Sequence, residues 1–187
     1  MGIKDKYFLD RDQAVLVVVD VQEKLCKAMD AEWLEKLTGN IAILLETASE
    51  LKLPAFATEQ YVKGLGETLP VLKEKLTTPA SEKMSFSCCG DSAFMAAFKQ
   101  QKRKQVIVTG METHVCVLQT VIELLDAGYS VHLVSDAVMS RKKENWQVGL
   151  EVAAAAGAVV TSTEAALFQL LKVAGTEEFK RLSKLVR

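Results

Sequence analysis

The sequence is poor in the residues that build metal sites and disulfide frameworks. Only two histidines, His114 and His132, occur in its 187 residues. One imidazole does not make a coordination shell, so no catalytic metal and no cofactor are expected. The four cysteines, Cys26, Cys88, Cys89 and Cys116, show neither C-x-x-C spacing nor a disulfide pattern, and are expected as reduced thiols of a cytoplasmic protein. Charge of one sign is also lacking. With 23 basic and 24 acidic residues the net charge is −1, which gives no electrostatic reason to expect nucleic acid or an anionic membrane as partner. No apolar run approaches membrane-spanning length. The opening MGIKDKYFLDRDQ is too charged for the apolar region of a signal peptide and lacks the Ser or Thr of a myristoylation signal. No repeat, low-complexity segment or linker divides the chain, so residues 1–187 are expected to form one domain.

What is present is alternation. Ala14–Asp20 (AVLVVVD) is a continuous β-branched run ending in an acid, the pattern of a strand buried on both faces. Leu34, Leu37, Ile41, Leu44, Leu45 and Ala48 recur at helical spacing between a candidate N-cap, Asp30, and a stop, Pro54. Pro54–Gln60 reads as a second strand. Tyr61–Ser81, carrying Gly64, Gly66, Pro70 and Pro79, reads as a long irregular excursion of the kind that shapes sites. A helix capped by Asp91 or Ser92 follows, then a strand at Gln105–Gly110. An amphipathic helix after Cys116 runs to Gly128, and a strand at SVHLVSDAV comes next. A helix containing AAAA, a strand at GAVVTS and two C-terminal helices complete the chain. Repeated strand–helix alternation predicts an α/β fold, a parallel sheet with helices on both faces.

Ligands bind such sheets outside the carboxyl ends of the strands. Asp20 ends the first strand, Glu59 and Gln60 end the second, Cys116 follows VIVTG, and Ser135 and Asp136 end the next. The reactive residue types therefore gather at one edge. Taken singly, each admits a plainer role. Cys116 sits where a helix should begin, where unpaired N–H groups favour a thiolate, yet free cysteine is often mere core filler. Asp20 reads equally as a loop acid bonded to backbone, and Lys83, in the polar stretch SEKMSFS, as a solvated surface lysine. The combination of base, cation and thiol is what points to chemistry.

VVVDVQ (Val17–Gln22), EKMSFS (Glu82–Ser87) and VTGMETHVCVLQT (Val108–Thr120) resemble the isochorismatase-like cysteine hydrolase superfamily in order and spacing. SDAV at Ser135–Val138 and GAVVTSTEAALFQLL at Gly157–Leu171 match its later blocks, so the resemblance covers about Asp12 to Leu171. It implies a three-layer αβα, Rossmann-like fold around a mostly parallel six-stranded sheet. It also implies a triad in which Cys116 attacks a carbonyl carbon, Asp20 moves the thiol proton and Lys83 favours the charged forms. A non-proline cis peptide at Met111–Glu112 is implied as well, with the backbone N–H groups of Glu112 and Cys116 as an oxyanion hole. Such a thiol is expected to alkylate ahead of the other three near neutral pH.

The chain departs from nicotinamidases of this superfamily. Their metal site uses an aspartate and histidines after the second strand, where FATEQYVKGLGETLP has no histidine. TEQYVKGLGET instead resembles the metal-free isochorismatase domain-containing subgroup. The expected activity is a metal-independent hydrolase of a small amide, carbamoyl or related substrate, acting on C–N bonds other than peptide bonds. A thiol-based sensor or scaffold is the alternative from another class, and an enol ether hydrolase of isochorismatase type the alternative within the superfamily. Gln22, Glu59, Gln60, Tyr61, Phe86, Thr113 and His114 are candidates to line the pocket. Phe86 reads equally as core packing, and Thr113 is expected to brace the loop through its hydroxyl. His132, Trp33 and Trp146 are read as packing residues, and Cys88 and Cys89 as reduced thiols. The resemblance further implies a homo-oligomer, dimer or larger, in which a neighbouring subunit could complete the pocket.

Overall fold

The computed structural model describes residues 2–187. In chain order the elements begin α1 (Ile3–Tyr7), β1 (Ala14–Val19), α2 (Glu23–Cys26), α3 (Ala31–Glu50) and β2 (Ala55–Gln60). Two short helices, α4 (Val62–Leu65) and α5 (Pro70–Lys73), precede β3 (Ser81–Lys83), α6 (Ser92–Gln100) and β4 (Gln105–Met111). The chain finishes with α7 (Leu118–Asp126), β5 (Ser130–Met139), α8 (Lys143–Ala156), β6 (Val159–Thr161), α9 (Thr163–Leu171) and α10 (Glu177–Leu182). The six strands form one sheet in the order β3-β2-β1-β4-β5-β6, and every pairing is parallel. The fold class read from the sequence is therefore correct, with a sheet that is wholly rather than mostly parallel.

β1 explains why the sheet is buried on both sides. All six of its residues are buried, and they divide by alternation. Leu16 and Val18 enter a core shared with α3, α9 and α10, whereas Val15, Val17 and Val19 enter a second core under α6, α7 and α8. α3 follows its predicted stripe: Leu37, Ile41, Leu44, Leu45 and Ala48 are buried, and the Asp30 side chain accepts the Trp33 N–H. At the carboxyl edge the two layers meet. Trp33 of α3 packs edge-on against Trp146 of α8 at 5.6 Å, and the Trp146 indole donates to the Ser135 carbonyl.

The strand order reverses direction at β1, between its neighbours β2 and β4. A sheet of this order opens a crevice there, beyond the carboxyl ends. The excursion after β2 is less irregular than its glycines and prolines imply, since it holds α4, α5 and then β3 at the sheet's edge. β3 has only three residues, too few for its alternation to be read from sequence.

His132 is a core residue, as its strand pattern implied, and it carries a cost. Its side chain is fully buried in β5 and neither ring nitrogen has a hydrogen-bond partner. Burial disfavours the charged form and brings its pKa down to about 4 from 6.5. Between these values the unfolded chain takes up a proton that the folded chain refuses. The contribution is thus intact above pH 6.5 and is lost as the pH falls through about 4. The full window amounts to about 3 kcal/mol. His132→Leu is expected to flatten that part of the stability–pH curve; urea unfolding of both proteins between pH 7 and pH 4.5 checks it, and parallel curves would refute it.

Candidate active site

Parallel register sets the site. Val19 pairs with Thr58 of β2 on one side and Gly110 of β4 on the other, so Asp20 emerges between the ends of both strands. Asp20 leaves β1 in a left-handed conformation, φ 50°, which disfavours a side chain with a Cβ by about 1–2 kcal/mol. That turn keeps its carboxylate fully buried. Lys83 ends β3, two strands from β1 and thus roughly 9–10 Å away. An extended lysine spans the gap: Nζ donates to Asp20 Oδ2 at 2.7 Å, and its side chain is as buried as its partner's. Lys83 was the least promising of the three in the sequence, and the surface reading is wrong. It is only 1% exposed.

The Lys83 ammonium is saturated. Besides Asp20 it donates to Gln60 Oε1 at 2.8 Å and to the carbonyls of Phe86 and Ser85 at 2.8 and 3.1 Å. Three protons shared over four acceptors leave none for a further ligand, so Lys83 is a fixed cation. Asp20 is held from its other oxygen by the Thr58 hydroxyl at 2.8 Å. Gln22 secures this frame, accepting the Gln60 N–H and donating to the carbonyls of Gln60 and Gly66. Gln22 and Gln60 were expected to line a pocket. Both are buried: Gln60 bonds to the ion pair directly, and Gln22 holds Gln60.

Cys116 lies in a π-helical turn, Thr113–Val117, that leads into α7. The helical turn therefore starts three residues before the thiol. Cys116 is 6% exposed, against 0% for Asp20. Burial pushes its thiol well above its ordinary range; the Asp20 charge adds to the push and Lys83 opposes it. Desolvation thus outweighs the helix terminus and the lysine. Cys88 shares the neighbourhood, its Sγ 3.5 Å from the Thr58 hydroxyl and its N–H bonded to Thr120 Oγ1. The Thr120 hydroxyl in turn donates to the Cys116 carbonyl. Cys88 is completely buried, and Cys88, Cys89 and Cys26 are free thiols.

The turn before Cys116 depends on close backbone contacts. Gly110 has φ 109°, and a Cβ there would stand 2.0 Å from the Val19 carbonyl oxygen, so β1 and β4 can approach only with glycine. Gly149 of α8 touches Thr113, where a Cβ would come within 3.0 Å of its backbone. The Met111–Glu112 peptide is cis.

Other expected site residues are placed differently. The Thr113 hydroxyl braces nothing: it is buried without a hydrogen-bond partner, and Gly149 packs against its methyl and backbone. Glu59 is buried and accepts both the N–H and the hydroxyl of Thr68, tying the excursion down. The Glu112 carboxylate accepts from the Arg141 backbone N–H and guanidinium, which joins the loop to the end of β5. The His114 ring sits between Ser140 and Asn145. Phe86 is not core packing, since it is 54% exposed, and Tyr61 and Met84 are exposed with it. Sequence reasoning missed Thr58 and Thr120; their place opposite Asp20 and Cys88 depends on register across strands. Among the described residues no three His, Cys, Asp or Glu side chains are grouped to hold a metal ion, and no helix is long and apolar enough to cross a membrane.

Breaking a buried ion pair strands a charge. Lys83→Met is expected to destabilise the fold by about 3–5 kcal/mol. Adding Asp20→Leu should recover most of that loss, because no lone charge remains. Denaturant unfolding of the single and double variants decides it, and simple additivity of the two losses would contradict the pairing.

Residues 14–165 match the model of the isochorismatase domain. The chain is 38% identical over 179 residues to a secreted isochorismatase effector, Isc1, of Phytophthora sojae (strain P6497), covering 93% of this chain and 84% of that one. It is 32% identical over 182 residues to isochorismatase domain-containing protein 2 of Xenopus laevis, covering 95% and 85%. The structure of the MAR1 ribonuclease of Caenorhabditis elegans superposes with a TM-score of 0.89 at 36% identity, over 96% of this chain and 92% of that one. The chain belongs to the isochorismatase-like hydrolase family, close to the isochorismatase domain-containing proteins.

Proposed function

We propose that this protein is a cysteine hydrolase of a small amide, carbamoyl or related substrate, working through Cys116, Asp20 and Lys83. The observation that carries the reading is the fully buried Asp20–Lys83 pair beside the Cys116 thiol. A buried ion pair is poor value for stability alone, and beside a thiol it supplies a base whose charge is held in place. Cys116 attacks the substrate carbonyl as Asp20 takes the thiol proton. The tetrahedral intermediate collapses when Asp20 returns that proton to the leaving nitrogen. A covalent acyl-enzyme remains; water, deprotonated by Asp20, attacks it, and Asp20 passes that proton to the departing Cys116 sulfur as the acid is released. The N–H groups of Glu112 and Cys116, at the first turn of a helix, are assigned to the developing oxyanion. The protein's own groups carry every step.

The raised thiol pKa fits this order of events. Asp20 removes the proton during attack, so the resting state holds a neutral thiol and one balanced ion pair. Cys116 is preferred over Cys88 as nucleophile because it alone of the two reaches the surface. The exposed side chains Tyr61, Met84 and Phe86, around the segment that holds Lys83, form an apolar collar. A second copy of the chain is proposed to cover it in a homo-oligomer. The ribonuclease name belongs to the Caenorhabditis elegans relative; a net charge of −1 adds no general attraction for an RNA backbone here.

A screen of small amides, carbamoyl compounds and esters tests the reading. Cys116→Ala should abolish turnover, Asp20→Asn should lower kcat about 10²–10⁴-fold, and Cys88→Ser should retain it. Intact-protein mass spectrometry should find the acyl adduct on Cys116. Adduct on Cys88, or unchanged turnover in Cys116→Ala, would reject the assignment.

A further inference from the structure

A cavity of about 1090 Å³ opens at the amino edge of the sheet, opposite the edge that carries Cys116. Its floor is Gln105 and Ser130, the first residues of β4 and β5. The segment from α1 to β1 roofs one side and α9 the other. The floor is firm because Gln105 pins that segment, donating to the carbonyls of Asp5 and Phe8 and accepting the Asp10 N–H. Leu9 is bound to α9 through Gln169 Oε1. Apolar surface faces the opening from Phe8, 57% exposed, and Phe168, 39% exposed.

The charges around this cavity are unevenly used. Both carboxylates are occupied: Asp5 accepts the Gly2 N–H, and Asp10 accepts the Asp12 N–H and the Lys172 ammonium. Those bonds hold the Asp10 carboxyl below its ordinary range. Lys4 and Lys104 pair with no carboxylate among the described residues, and the Lys104 ammonium lies over the Tyr129 ring. Three lysines and two aspartates thus line the cavity, a surplus of one positive charge beside apolar walls.

We infer that this cavity binds a small organic monoanion, a carboxylate on an apolar chain or ring. The carboxylate would sit between Lys4 and Lys104, and the apolar part against Phe8, Leu9 and Phe168. A site with apolar walls and a few convergent polar groups is the ordinary form of a small-molecule pocket. The inference uses no residue of the proposed hydrolase chemistry, and either can fail without the other.

Isothermal titration of the full chain with octanoate tests it, with octanol and octylamine as uncharged and cationic controls. Saturable one-site binding of octanoate is expected, with both controls weaker and with affinity falling as salt is added. Lys4→Glu with Lys104→Glu should weaken octanoate about fivefold, the worth of two exposed charge contacts of roughly 0.5 kcal/mol each. Lys104→Met alone, which introduces no new charge, should weaken it in the same direction. Octanol binding as tightly as octanoate, no saturable heat into the millimolar range, or lysine variants that bind unchanged would overturn the inference. Light scattering of Phe168→Asp closes the remaining route: a smaller particle than the parent would assign this face to a second copy of the chain and overturn it too.

Discussion

The buried contact between Asp20 and Lys83 is the constraint on which the rest of this site depends. Two opposite charges removed from water lose several kcal/mol of hydration each, and their attraction makes that good only when the remaining hydrogen-bonding capacity is also filled. The protein fills it from three places. Thr58 takes the second oxygen of Asp20, Gln60 takes one ammonium proton, and two carbonyls from the chain after β3 take the rest. Each contributor is itself held. Gln60 is fixed by Gln22, and Gln22 is fixed by the carbonyl of Gly66 in the excursion. Glu59 then binds Thr68 on the same excursion. The segment between β2 and β3 is therefore the clamp that makes a buried lysine affordable.

This arrangement also explains the chemistry assigned to Lys83. A lysine with a free N–H could donate to substrate or leaving group. Here the ammonium has none to spare, so its influence at the crevice is that of a fixed positive charge against the Asp20 carboxylate. The same field reaches Cys116 but does not prevail there. Desolvation and the Asp20 charge both oppose a thiolate, and together they outweigh the lysine. A protonated thiol beside the ion pair is the consequence, and in the proposed reaction its proton moves only when a carbonyl carbon is there to accept the sulfur.

Much of this was legible in the residues, and the limits are physical. β1, β4 and α3 could be read because their patterns span six or more residues and obey one period. Asp20 and Cys116 were found because a strand end announces itself by a break in an apolar run. Lys83 was misjudged from its surroundings alone. A three-residue edge strand has no periodicity, and burial of its last side chain depends on reaching across β2, which only the resemblance could anticipate. Thr58 was invisible for a related reason: its contact with Asp20 belongs to the register between β1 and β2. The bracing role given to Thr113 failed because its hydroxyl finds no partner, and what surrounds it, including the close approach of Gly149 in α8, is set by tertiary packing.

The two edges of the sheet solve opposite electrostatic problems. At the carboxyl edge, two ion pairs flank the turn that carries Cys116: Asp20 with Lys83, and Glu112 with Arg141. Such pairing suits the proposed reaction, in which Asp20 would take up a proton and return it within the cycle. At the amino edge, Asp5 and Asp10 are spent on backbone and on Lys172, whereas Lys4 and Lys104 have no carboxylate partner among the described residues. An unmatched cation on an apolar surface gains little from the fold itself, because an exposed charge is stabilised by water wherever it lies. Its attraction becomes useful when a ligand brings both the opposite charge and the apolar area that water does not stabilise. The monoanion proposed for the amino edge is such a ligand, since its carboxylate would meet Lys4 and Lys104 while its apolar part covers Phe8 and Phe168.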